Sequence, residues 1–169
     1  DEDEFPAQDM YKTSPVQVNL IPQEAELLDD PMIVEMALQP QGSLDVNVKV
    51  GDDEFQKHFD KLPAVFPTAR GTLAFFMSPD SLISKGTEDV DLEKKVRNIT
   101  ATINNPLRVA RWYCKSMTIE PTSKTTSVAV ISLKNSSLRR GQDFINKLLE
   151  MYNINTNNDK NEIAQKTAE

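Results

Sequence analysis

Two basic sets hold the side chains best suited to recognition chemistry: Arg139 with Arg140, and Arg108 with Arg111 beside Trp112. Guanidinium groups grip carboxylates or other anions in a rigid fork, and an indole flanked by arginines can stack on a sugar ring. Arg139 and Arg140 open an amphipathic helix, where the dipole is positive and cations are disfavoured. That placement marks them as contacts for a neighbouring subunit or an anionic glycan, with a plain solvated face as the alternative. Trp112 and Tyr113 share a helical segment with Leu107, Ala110 and Cys114, so at least one of the two rings is expected in the core.

Catalytic chemistry finds less to work with. Glu120, Asp89, Asp91 and the pair Asp52-Asp53 are the carboxylates a glycosidase would draw on, but turn acids are normally solvated and their spacing sets no two across a sugar. Gly51-Asp52-Asp53-Glu54 and Asp89-x-Asp91-x-Glu93 gather oxygens for calcium without the spaced loop of an EF-hand. With one cysteine, Cys114, and one histidine, His58, the chain has no internal disulfide, zinc set or Ser-His-Asp triad to assemble. Cys114 is expected to be a small buried apolar residue, and His58, between Phe55 and Phe59, a strand-face residue. No catalytic, cofactor-binding or metal-ligating residue is assigned, and this stretch reads as non-enzymatic.

The 169 residues can hold one domain with a core and a protruding limb. A net charge of −7 and no basic run longer than Arg139-Arg140 argue against nucleic acid as a partner. No apolar run approaches the roughly 18–20 residues of a membrane helix. Residues 1–12 are acidic and read as a linker or an edge. The tail stops without a helix-ending signal, so the chain reads as a piece of something longer.

The elements that must position these residues follow from periodicity. Val16 to Ile21 and Leu44 to Val50 alternate with period two, as half-buried strands do, and Met32 to Leu38 reads as a second strand. With Glu54 to Phe59, residues 32–59 form a hairpin or meander with one wet face, on which Asp45, Asn47 and Lys49 lie. Pro63 and Pro67 make 60–70 an irregular loop. Residues 71–77 are a continuously apolar central strand, 78–95 a loop and 96–103 a strand. Asn104-Asn105 and Pro106 open a helix over 106–116 with Leu107, Ala110, Cys114 and Met117 on one face. A strand start at 118–120 and a last strand at 125–133 lead to a helix capped by Ser136 or Ser137. That helix carries Leu138, Ile145, Leu148, Leu149 and Tyr152 on one face, either continuous or broken near Asn155–Asn158.

At Ala110-x-x-Tyr113, Met117-Thr118-Ile119-Glu120-Pro121, the run Lys124 to Leu133 and the helix Asp143 to Asn153, the chain resembles the chain-length-determinant family, the polysaccharide co-polymerases of the Wzz and Wzc type. The wording is closest to Bacteroidetes-type members, many of which carry a cytoplasmic tyrosine autokinase domain. Tyr11-Lys12-Thr13-Ser14-Pro15-Val16-Gln17-Val18 is similar to the segment that opens their β-rich part, and Asp159 to Thr167 looks like the start of their helical stem. The resemblance implies a periplasmic domain of a bacterial inner-membrane protein, slung between two membrane helices that this chain lacks. It implies homo-oligomers built through the helical stem, with polysaccharide polymerase or export machinery, and polysaccharide itself, as partners. No Gly-x-x-x-x-Gly-Lys-Ser/Thr occurs here, so this stretch does not bind ATP by that route.

The expected fold class is therefore α+β: an antiparallel or mixed sheet with one packed helix and a projecting C-terminal helical segment. Its parts are a linker at 1–12, a β-rich domain at 13–135 and the start of a stem at 137–169. As one helix, 137–169 would reach about 50 Å, longer than a compact domain of this size. The expected function is an oligomerising scaffold that regulates polysaccharide chain length or export. The alternative is a monomeric carbohydrate-binding or adhesin-like module.

Overall fold

The computed structural model describes residues 9–79, 95–123 and 127–167. In chain order the elements are β1 (Val16–Leu20), α1 (Pro22–Glu26), β2 (Met32–Leu38), β3 (Leu44–Val50), β4 (Asp53–Phe59), β5 (Ala64–Thr68), β6 (Gly71–Met77), β7 (Arg97–Ile103), α2 (Pro106–Ser116), β8 (Met117–Pro121), β9 (Ala129–Leu133) and α3 (Leu138–Thr167). The fold is α+β, mostly sheet, and every strand pairing is antiparallel. The chain divides into two compact units, one spanning Lys12–Trp112 and the other made of the described residues on either side of it.

The first unit is built by alternation. In β2, Met32, Val34, Met36 and Leu38 are buried, and in β3, Leu44, Val46, Val48 and Val50, because successive strand side chains point to opposite faces. β4 continues the meander and β7 pairs with the other side of β2, giving the order β4-β3-β2-β7. A second sheet, β1-β6-β5, has β6 at its centre and contributes Val16, Phe66, Leu73 and Phe75 to the same core. Full burial of side chains such as Phe75, Met32, Leu44 and Leu73 is worth about 1.5–3 kcal/mol each. Phe59 joins the sheets, its ring edge-on to Phe66 at 6.0 Å and tilted against Phe75 at 5.8 Å.

Residues 60–70 are not the irregular loop that their prolines suggest, since Ala64–Thr68 forms β5. β5 is the edge of its sheet, where a residue without an N–H is tolerated, and Phe66 turns inward. The connection after β1 contains a short helix, α1, whose Ala25 is buried along with the following Leu28. Glu24 of α1 accepts the Thr72 backbone N–H at 2.8 Å. The neighbouring Gly71 has φ +138°, and a Cβ there would lie 2.8 Å from Leu20 Cδ1 and 3.0 Å from Glu24 Oε2. Only glycine fits that corner without strain.

Helix α2 begins where Asn105 Oδ1 accepts the Leu107 N–H at 3.0 Å, with Pro106 at the first helical position. Its inward face is not the expected one. Leu107, Ala110 and Cys114 are exposed, whereas Val109, Tyr113 and Ser116 are half-buried. The reason lies in the second unit, where the Tyr113 ring stacks on Phe144 and so takes the inward direction from Cys114.

In that unit β8 and β9 form a hairpin and α3 packs against β9. Ser137 caps α3, its Oγ accepting the Arg140 N–H at 3.3 Å. Gly141 is buried with Asn135 and Leu133 alongside. Asp9 and Tyr11 belong to this unit as well: the Arg140 guanidinium pairs with Asp9 at 2.9 Å and lies over the Tyr11 ring, and the Tyr11 hydroxyl donates to Asp143 at 3.0 Å. α3 is continuous through Asn155–Asn158, and its 30 residues correspond to about 45 Å. From Leu149 to Thr167 only Thr156 is half-buried, and the other side chains are exposed.

Candidate functional site

The wet face of the sheet β4-β3-β2-β7 gathers an array of polar side chains. Register sets it in rows across the strands: His58, Asp45, Ala37 and Asn98, then Gln56, Asn47, Glu35 and Thr100. These residues line an open depression of about 740 Å³, within the range of small-ligand sites. The apolar partners of the same strands fill the core on the opposite face, so one alternation builds both the hydrophobic interior and this surface.

Hydrogen bonds hold the array in place. Lys49 Nζ lies 2.9 Å from Glu35 Oε2, and Asn47 Nδ2 donates to Glu35 Oε2 at 3.1 Å and to Glu54 Oε1 at 2.8 Å. His58 Nδ1 is 2.6 Å from Asp45 Oδ1, while Gln39 Nε2 donates to Asp45 Oδ2 at 3.0 Å. The bond from Lys49 holds the Glu35 carboxyl below its usual range, and the bond from His58 does the same for Asp45. Reciprocally, Lys49 and His58 are pushed up by Glu35 and Asp45. Asn47 Oδ1 is shielded from solvent and receives no donor from the described residues. Its assignment as oxygen follows from the two carboxylates on the other branch of the amide, which require N–H groups there.

The residues singled out from the sequence lie elsewhere. Arg108, Arg111 and Trp112 share an exposed face of α2 at positions i, i+3 and i+4, with Trp112 52% exposed. Its neighbour Tyr113 is half-buried and stacks on Phe144. Arg139 is exposed at the start of α3, and Arg140 is engaged by Asp9 and Tyr11, which offsets its unfavourable position on the helix dipole. Glu120 is exposed in β8. Asp53, at the β3–β4 turn, pairs with Arg70 at 2.7 Å. Asp89, Asp91 and Glu93 lie outside the described residues. Among the described residues no three His, Cys, Asp or Glu side chains are grouped to hold a metal ion, and no helix is long and apolar enough to cross a membrane.

The sequence carries a signal for the wet-face array, although none of its residues stands out there as a site. Asp45, Asn47 and Lys49 are the outward set of the cleanest alternating strand, and His58 sits at matching parity in the next. Comparison of the chain with protein-family models, with curated proteins and with solved structures finds no match.

Proposed function

We propose that this chain is the periplasmic part of a chain-length-determinant protein and acts as a non-enzymatic, oligomerising scaffold that regulates polysaccharide chain length or export. The strand-to-helix run from Met117 to Asn153 and the α+β architecture support the reading. The observation that carries it is α3: the first turns are docked through Gly141 and Phe144, and the rest leaves Leu149, Tyr152 and Ile163 exposed. These three are three and eleven residues apart, spacings that keep them on one stripe of a helix. An apolar stripe of that length gains free energy from burial, and further copies of the same helix are a ready partner because homo-oligomers repeat one surface.

The test is the solution mass, by light scattering, of this chain and of a version extended through the continuing helix and the flanking membrane segments. A monomeric chain with a large closed oligomer for the extended form is the expected result. Two monomers would remove the basis of the scaffold reading.

A second reading, a monomeric carbohydrate-binding module, draws on the exposed Trp112 beside Arg108 and Arg111. It requires the isolated monomer to bind glycan and to lose that binding in Trp112→Ala.

A further inference from the structure

We infer that the depression on the wet face of the sheet β4-β3-β2-β7 binds a neutral, hydroxyl-rich ligand: a segment of an uncharged glycan lying across β3 and β2. The inference does not depend on assembly through α3, and it uses none of the α2 surface.

Three observations point to this class. First, the strands under the depression have their backbone groups committed to the ladders on both sides of β3 and β2. A ligand there cannot add as a strand, so it must be read by side chains. Second, the side chains open to a ligand mix groups that only accept with groups that do both: the carboxylates of Glu35 and Asp45, the amides of Gln56 and Asn98, and the hydroxyl of Thr100. A sugar hydroxyl donates and accepts from one oxygen, so a row of hydroxyls matches this mixture, whereas a phosphate, which only accepts, or an ammonium, which only donates, does not. Third, the carboxylates already have partners: Lys49 for Glu35, and for Asp45 the His58 ring, which is cationic once protonated. The surface therefore offers little net field to a charged ligand, and the lone pairs left over remain open to hydroxyl protons.

Asn47 adds a fixed point. Its amide is clamped by Glu35 and Glu54, its oxygen is shielded, and no described residue supplies a donor to it. Asn47 therefore holds the Glu35 carboxylate in place and does not itself meet the ligand. No Phe, Tyr or Trp ring is among the described residues lining the depression. Affinity therefore rests on several hydrogen bonds at once and not on stacking over a broad ring.

The experiment is an amide-resolved NMR titration of the 169-residue chain with dextran and mannan oligomers, and with oligogalacturonate as a charged comparator. Saturable shifts from a neutral oligomer, confined to amides around Glu35, Asp45 to Asn47, Gln56 to His58 and Asn98 to Thr100, are expected. Asn47→Ala should weaken binding about tenfold, equivalent to about 1.4 kcal/mol. Because Asn47 also ties the strands together, Thr100→Ala and Gln56→Ala serve as gentler variants and should weaken binding several-fold. Trp112→Ala should leave it unchanged. Absence of shifts with both neutral oligomers, shifts mapping to another surface, or preference for oligogalacturonate would each overturn the inference. None of these results bears on the oligomeric state, so the scaffold reading and this one fail separately.

Discussion

Tyr113 and Phe144 stack face to face, with ring centroids 4.2 Å apart and planes 12° from parallel, and so join the end of α2 to the second turn of α3. Asn135 donates to the Tyr113 hydroxyl at 3.2 Å, tying the segment between β9 and α3 to the same ring. Phe144→Ala removes the stack and part of the apolar contact and should cost the second unit about 1–3 kcal/mol. Tyr113→Phe keeps the stack and loses one hydrogen bond, for about 0.5–1.5 kcal/mol. Hydrogen exchange on the amides of α3 measures both. Equal effects of the two variants would mean that the hydroxyl, and not the stack, holds the helix.

Gly71 and Gly141 should respond in opposite directions to the same added methyl group. At Gly71 the positive φ and the close approach of Leu20 and Glu24 make alanine a strained residue, and Gly71→Ala should destabilise the first unit by about 1–3 kcal/mol. At Gly141 the nearest atom to a new Cβ is Asn135 Cβ at 3.5 Å, an ordinary contact. Gly141→Ala therefore gains helix propensity of up to about 1 kcal/mol. Chemical denaturation reads both, and a stabilised Gly71→Ala variant would refute the account of that corner.

Much of this fold can be read from single strands. The outward and inward sets of β3 follow from period two, and the start of α2 follows from Asn105 and Pro106. What failed depended on partners that a sequence does not display. β5 was hidden by Pro67, because only knowledge that the strand is an edge makes that proline harmless. The inward face of α2 was misjudged because Leu107, Ala110 and Cys114 have the right spacing, yet Phe144, far along the chain, selects Tyr113. The wet-face array was half legible: each strand shows its polar set, but only register brings Asn98 and Thr100 of β7 beside Glu35 and Asn47.

Leu149 and Ile163 separate assembly from folding. Both are exposed on the part of α3 beyond the docked turns, so the paired change Leu149→Asp with Ile163→Asp should leave the thermal stability of this chain nearly unchanged, as surface substitutions do. In the extended form that the proposed scaffold requires, the same pair should shift the light-scattering mass from oligomer toward monomer. An oligomer that tolerates both aspartates would assemble through some other surface.

The His58–Asp45 pair sets a pH signature on the wet face. His58 Nε2 also lies 3.4 Å from Asp60, so two carboxylates face the ring. The hydrogen bond to Asp45, reinforced by both charges, raises the His58 pKa above its ordinary 6.5. A raised histidine contributes stability that is full below 6.5 and is lost as pH climbs through the folded value. The bond from His58, aided by Gln39, lowers Asp45 below 3.8, so that its contribution is full above 3.8 and is lost as pH falls through the folded value. The pair therefore supports the fold most between 3.8 and 6.5 and weakens on either side. Its groups are solvent-accessible, so the effect is small and screened by salt. NMR titration of the His58 ring should place its midpoint above 6.5. Asp45→Asn should bring the midpoint most of the way back and leave a remainder due to Asp60. An unshifted midpoint in the unaltered chain would mean that solvent competes the pair away. Asp45 would then keep Gln39 at Oδ2 and face the depression with Oδ1 open.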